Sequence, residues 1–258
     1  MQHDGSIVDA GWTTEAFEVV SLACEHYGGM GTWRRLREVR LLPLRLSGLV
    51  PWLKGSGSTF PLPSRFEIRP RERTTRFVDF PTQGEVGTFS NGAVRIERIA
   101  DGMVVATGEA HRRTFRGLAG AGRWTPLDAL YFFGYALAHY HSLPFTLLDA
   151  RLLSARTAGT GPARKHILEL ELPADLHTHS RRQSFHFDAL GNLTRHDYHA
   201  EVIGFWARGA HFWRRQTLCN GFPVSLDRHV LARIGSHAIP ITALRATFAS
   251  AEVDLAPE

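Results

Sequence analysis

The chain has 258 residues, 43% of them hydrophobic, so it can bury a substantial core and is not globally disordered. Its formal charge of +5 comes almost wholly from arginine, because Lys54 and Lys165 are the only lysines. No block of five or more basic residues occurs, which argues against a nucleic-acid-binding surface. The arginines are expected on solvated strand faces, and an anionic small molecule stays open as a partner.

The two cysteines, Cys24 and Cys219, are too few for a disulfide framework or a structural zinc site. The first residues lack a basic segment followed by an apolar run, and no stretch approaches about 18 consecutive apolar residues. We therefore expect no signal peptide and no transmembrane segment. The simplest location is a reducing cytoplasm, with both thiols free.

In chain order, residues 1–12 are predicted to form a flexible arm and residues 15–27 an amphipathic N-terminal helix that ends at two glycines. A long first strand is predicted over residues 39–50, and residues 55–63 read as a loop. From residue 65 onward, alternating apolar positions and turn signals at about ten-residue spacing predict an antiparallel meander.

One clear helix interrupts the strands. Thr125 is a good N-cap, Pro126 suits the first helical position, and Asp128 favours the positive end of the helix dipole. The body, ALYFFGYALAHYH, is apolar nearly all round and closed by Pro144, so we expect it to be covered on more than one side. Further strands are predicted over residues 145–153, 163–172, 183–188, 193–203, 206–218, 222–231 and 239–254.

These elements predict one domain over residues 1–258 of a mainly β (α+β) class. We expect a large curved antiparallel sheet or open β-barrel of about eleven strands, wrapping a central helix, with a second helix at the N-terminus. No internal repeat or long linker divides the chain.

The opening of the chain carries a resemblance to a known family. The N-terminal helix ends in EHYGGMGTW, after which Leu36 and Val39 lead into the long first strand with Gly48. Together with the order of the elements, this resembles the LolA/LolB-type lipoprotein-carrier fold. The resemblance implies a half-barrel whose apolar hollow, closed by helices, holds an acyl chain. Since no export signal or lipid-attachment cysteine is recognised, we carry over only the ligand-holding cavity.

Residues 183–202, QSFHFDALGNLTRHDYHAEV, are predicted to form a β-hairpin around the turn residues 189–192. The expected register pairs Asp188 with Leu193, His186 with Arg195, Phe185 with His196, and Ser184 with Asp197. Because side chains alternate across a strand, two faces separate. The apolar face carries Phe185, Phe187, His196, Tyr198, Ala200 and Val202. The polar face carries Ser184, His186, Arg195, Asp197, His199 and Glu201.

The apolar face of this hairpin contains one imidazole and one phenol. His196 is a natural acid or base near neutral pH, and Tyr198 beside it is a suitable donor to a developing oxyanion. Tyr131, Tyr135 and His139 share one helical face, and a helix crossing the barrel mouth would bring the last two towards His196. Each group also has a structural interpretation, as a buried His–Tyr pair or an aromatic packing stripe.

The candidate site follows from these two faces. The predicted catalytic residues are His196, Tyr198, Tyr135 and His139, and the predicted ligand-binding residues are Phe185, Phe187, Val202, Tyr131 and Phe132. If residues 177–179 form a strand, His177 and His179 share one face of it, but no third ligand follows at a recognisable interval, so no metal is predicted. No phosphate-binding glycine motif and no GxSxG occurs, so no cofactor is predicted.

Two functions fit this pattern. One is a cofactor-independent enzyme that isomerises, cyclises or eliminates from a largely apolar substrate, with His196 as general base and the other three groups as donors. The alternative is a non-catalytic carrier or binding protein for a lipid-like ligand. The enzyme is slightly favoured, because several inward imidazoles and phenols are costly to bury.

Overall fold

The computed structural model describes residues 11–55, 62–115 and 122–257. The predicted N-terminal arm therefore lies outside the described residues, apart from residues 11 and 12. The helices are α1 Thr14–His26, α2 Gly29–Arg35, α3 Leu49–Leu53 and α4 Pro126–Ser142. None of them is both long and apolar enough to cross a membrane.

The strands follow the predicted meander. They are β1 Leu36–Ser47, β2 Arg65–Arg69, β3 Thr74–Val78, β4 Glu85–Ser90, β5 Ala93–Arg98, β6 Val104–Gly108, β7 Arg151–Ala158, β8 Lys165–Glu171, β9 Arg182–Asp188, β10 Leu193–His199, β11 Arg208–Cys219, β12 Phe222–Ile234 and β13 His237–Leu255. The count is thirteen in the described residues, so the prediction of about eleven was too low. Strands β2 to β6 have only five or six residues each, and tight turns separate them.

All thirteen strands form one curved, open antiparallel sheet in the order β6-β5-β4-β3-β2-β1-β13-β12-β11-β10-β9-β8-β7. The mainly β class, the N-terminal helix and the central helix are thereby confirmed. Strands β6 and β7 are the two edges of the sheet, and the chain between them carries α4. The connection from one edge to the other places α4 within the curve of the sheet.

The start of α4 forms as its sequence predicts. The Thr125 side chain accepts from the Asp128 backbone N–H and the Asp128 carboxylate accepts from the Thr125 N–H, which is a capping box, and Pro126 begins the helix. Gly134 then lets the helix approach β4 closely, since a Cβ added there would lie 2.4 Å from the Cβ of Phe89. All but four residues of α4 are buried, as its apolar composition predicts.

Two local predictions were wrong. The first strand ends at Ser47, and residues 49–53 form α3 where the strand was expected to continue. Residues 145–149 form a short 3-10 helix, in which Phe145 stacks on Trp33 with ring centroids 4.9 Å apart. Residues 172–181 form a loop, so His177 and His179 do not lie on a strand.

The predicted hairpin is present, with most of its register. His186 pairs with Arg195, Phe185 with His196, and Ser184 with Asp197, as expected. Leu193, however, pairs with Phe187 and not with Asp188. The carboxylate of Asp188 instead accepts from the backbone N–H groups of Leu190 and Asn192, so this residue closes the turn and shifts the register there.

Candidate ligand-binding site

A cavity of about 250 Å³ lies between α4 and strands β10 to β13, with α3 at its side. Most of its wall is aliphatic or aromatic. Leu49, Trp206 and Ile234 line it and are 37%, 51% and 68% exposed, so they form an apolar rim where the cavity meets solvent. At its inner end, Arg228 and His211 are 3% and 0% exposed.

One face of α4 supplies much of the wall. Phe132, Ala136 and Tyr140 line the cavity at four-residue spacing. The helix face predicted to point into the cavity carries Tyr131, Tyr135 and His139. Each of these residues immediately precedes a residue of the stripe that lines the cavity. The predicted helix therefore contributes to the cavity through the neighbouring stripe.

Three tyrosines and a histidine form a buried hydrogen-bonded chain beside the cavity. Tyr140 donates to the hydroxyl of Tyr198 at 3.3 Å. His179 contacts Tyr140 through Nε2 at 2.6 Å and Tyr135 through Nδ1 at 2.9 Å. Burial keeps the pKa of His179 well below its ordinary value, so the ring is neutral.

The direction of this chain follows from the neutral ring. Because Tyr140 donates to Tyr198, His179 donates through Nε2 to Tyr140 and accepts at Nδ1 from Tyr135. The hydroxyl hydrogen of Tyr198, which lines the cavity, is then left to donate to a further group. A sequence analysis cannot find this chain, since His179 reaches its partners from a loop some 40 residues away.

The predicted general base, His196, is fully buried. Its ring stacks on Phe185 with centroids 4.6 Å apart and planes 9° apart, and its Nε2 contacts the side-chain oxygen of Gln183. The ring of His139 lies 5.8 Å away, so the two predicted histidines do come together. Burial lowers the pKa of both rings, that of His139 to about 4. The cavity is lined by Tyr198 but by neither histidine.

Some of the predicted ligand-binding residues line the cavity and others do not. Phe132 lines the cavity. Phe185, Phe187 and Val202 are buried in the core, which confirms the inward face of the hairpin but puts these side chains outside the cavity wall. Tyr131 is buried too, with its hydroxyl 2.8 Å from Nδ1 of His177.

The outward face of the hairpin holds a charge network. Arg195 donates to both carboxylate oxygens of Asp197, at 2.6 and 2.8 Å. Burial raises the pKa of this carboxyl, but hydrogen bonds from His186 and Arg195 outweigh it and hold the pKa below its usual range. The network lies on the outer face of the sheet and extends to Arg233, which lines the cavity and whose Nε lies 3.8 Å from the Asp197 carboxylate.

No cluster of three or more histidine, cysteine or acidic side chains suited to a metal ion occurs in the described residues. Both ring nitrogens of His179 are hydrogen-bonded to tyrosines. Cys24 and Cys219 are free thiols. Burial raises the pKa of Cys24 to about 12, so this thiol is a poor nucleophile.

The residues that sequence reasoning missed are His211 and Arg228. A signal for the second was present: Phe222, Val224, Leu226, Arg228 and Val230 occupy alternate positions of β12, so the arginine falls on the apolar phase of the strand. An arginine at such a position means either that the predicted strand phase is wrong or that the arginine side chain points into the interior. Here it is directed inward.

No protein-family model matches this sequence, and no curated protein matches it significantly. The chain is similar to a solved structure of a LolA superfamily protein from Nitrosomonas europaea, with 9% identity, 92% of each chain covered and a TM-score of 0.48. It is also similar to a putative outer membrane lipoprotein-sorting protein domain from Vibrio parahaemolyticus, with 9% identity, 92% and 91% coverage and a TM-score of 0.44. A DUF1329 family protein from Desulfovibrio piger is similar at 12% identity, 95% and 96% coverage and a TM-score of 0.44. The resemblance to the LolA-type fold is thus found at the level of overall structure, at low identity.

Proposed function

We propose that the protein is a carrier or binding protein for a lipid-like molecule held in this cavity. The supporting observation is the cavity itself, with its mostly apolar wall and an apolar rim at Leu49, Trp206 and Ile234. An apolar cavity of about 150 Å³ already accommodates benzene, so about 250 Å³ suits a longer alkyl chain. The predicted cytoplasmic location stays a prediction.

The test is to narrow the cavity without touching its polar groups. Ala232 is half-buried and lines the cavity, so Ala232→Phe fills part of it at little risk to folding. Ala93 is half-buried on β5 away from the cavity, and Ala93→Phe is the matched control. We expect native mass spectrometry to detect a lipid-like molecule in the wild type and control, and much less in Ala232→Phe. Equal occupancy in all three proteins would contradict the proposal.

A second candidate function is cofactor-independent acid–base catalysis on a ligand in the same cavity. The observation in its favour is the chain of hydrogen bonds that ends at the phenol of Tyr198 on the cavity wall. A phenol so placed suits hydrogen-bond donation to a developing oxyanion. The role of general base predicted for His196 has less support, because its ring does not line the cavity. Tyr198→Phe tests this function: an enzyme would accumulate unconverted substrate, and a carrier would hold the same ligand as before.

A further inference from the structure

The inner end of the cavity contains a cationic side chain, Arg228, which forms no ion pair with a carboxylate of the described residues. We propose that the lipid-like ligand is a monoanion, an alkyl carboxylate whose head group binds Arg228, with His211 and Tyr198 as further donors. This inference rests on the proposed function and specifies the chemistry of its ligand.

Arg228 is 3% exposed, and its Nε and Nη1 groups have no hydrogen-bond partner in the described part of the chain. Its Nη2 lies 3.3 Å from Nε2 of His141. The guanidinium carbon is 5.1 Å from the ring centroid of Tyr140 and 4.9 Å from that of Trp213. These rings attract the cation through their faces but carry no negative charge.

A buried cation is costly unless a counter-charge accompanies it. No carboxylate of the described residues forms an ion pair with Arg228, and its electrostatic neighbours are the phenols of Tyr140, Tyr27 and Tyr198. Even with burial, the pKa of Arg228 falls only to about 10, so the group is charged at neutral pH. An anionic ligand would supply the missing counter-charge.

His211 gives a second, independent sign of a polar ligand at the same place. It is fully buried, lines the cavity, and has no partner for either ring nitrogen within the described residues. The ring centroid of His211 lies 4.6 Å from that of Tyr140, and the Tyr140 hydroxyl donates a hydrogen bond to the Tyr198 hydroxyl. The free N–H of His211, the free O–H of Tyr198 and the guanidinium of Arg228 therefore surround the inner end of one cavity.

The chemistry of the head group follows from the charge and the surroundings. One guanidinium matches one negative charge, and a terminal carboxylate is the smallest monoanion that ends an alkyl chain. The remaining wall is mostly apolar and leads towards Trp206 and Ile234 at the rim. Arg208 and Arg233 also line the cavity, but Arg208 is exposed and Arg233 is paired with Asp197. The ligand therefore enters head first, with its chain directed towards the rim.

The experiment compares decanoate with decanol near neutral pH, each displacing the neutral fluorescent probe phenylnaphthylamine from the full chain. The two ligands share their alkyl chain and differ in the head group. The carboxylate of decanoate can accept charge-assisted hydrogen bonds from Arg228, and the hydroxyl of decanol cannot. We therefore expect decanoate to bind to the wild type about 10- to 100-fold more tightly than decanol does. In Arg228→Met we expect decanol affinity within about threefold of the wild type and no preference for decanoate.

Arg245→Met is the matched control, because Arg245 is exposed on β13, pairs with Asp227 and lies outside the cavity wall. It should keep the preference for decanoate. Equal binding of the two ligands to the wild type, or an unchanged preference in Arg228→Met, would overturn the carboxylate inference while leaving the carrier function intact. Failure of the probe and of both ligands to bind the wild type would overturn the carrier function and this inference together.

Discussion

Replacement of Arg228 by methionine is expected to make the protein more stable. Burial lowers the pKa of this guanidinium well below its ordinary value, to about 10. The folded protein therefore disfavours the charged form by about 3 kcal/mol relative to water. Methionine removes that cost and keeps most of the aliphatic packing, but it loses cation–π contacts with Tyr140 and Trp213, worth about 1 kcal/mol each.

The expected net gain in the free energy of unfolding is about 1 kcal/mol, the difference between these two contributions. Urea denaturation at neutral pH, without added ligand, measures it. Arg195→Met is the matched contrast, because Arg195 pairs with the carboxylate of Asp197, itself 4% exposed. Its loss should cost about 2 kcal/mol. If Arg228→Met is destabilised as Arg195→Met is, the fold itself satisfies the Arg228 guanidinium and the reasoning fails.

Two further predictions concern α4. Because burial lowers the pKa of His139 from 6.5 to about 4, its contribution to stability should be complete above pH 6.5 and lost as the pH falls towards 4, at about 1 kcal/mol per pH unit. Burial also lowers the pKa of His141, His179, His196 and His211, so urea denaturation should show a shallower loss of stability in His139→Gln than in the wild type, and equal losses in the two proteins would contradict the prediction. Gly134→Ala should destabilise the protein by about 1–2 kcal/mol, because the new Cβ meets Phe89 at 2.4 Å, and overpacking outweighs the better helix propensity of alanine. Gly31→Ala, with nothing within 4 Å of the added Cβ, is the control and should gain up to about 1 kcal/mol in the same thermal or urea unfolding measurement.

The parts of the fold that depend on neighbouring residues could be predicted from the sequence. Alternation along residues 183–202 gives the strands, most of the register and the buried face of the hairpin. The capping residues Thr125 and Asp128 give the start of α4. The turn at Asp188 could not be placed to the residue, because its side chain competes with the strand ladder for backbone N–H groups.

The site depends on contacts between distant segments, so it was predicted only in outline. Which stripe of α4 faces the cavity depends on how closely the helix packs on β4 at Gly134. His179 lies in a loop, and the residues next to it in sequence do not indicate that its ring nitrogens form hydrogen bonds with two tyrosines of α4. Arg228 alone had a local signal, its place on the apolar phase of β12, and that signal acquires meaning only when the strand is known to face the cavity.

The position of β13 has a consequence for biosynthesis. It pairs with β1 on one side and β12 on the other, so Val39 lies beside Val253 in the middle of the sheet. Until β13 has been synthesised and has left the ribosome, no strand joins the meander β1–β6 to the meander β7–β12, and one edge of β1 is unpaired. Strand pairs between residues far apart in sequence form slowly, and unpaired strand edges that can aggregate stay exposed until they form. Shielding of the β1 edge by a chaperone until β13 has been synthesised would therefore favour formation of the native sheet.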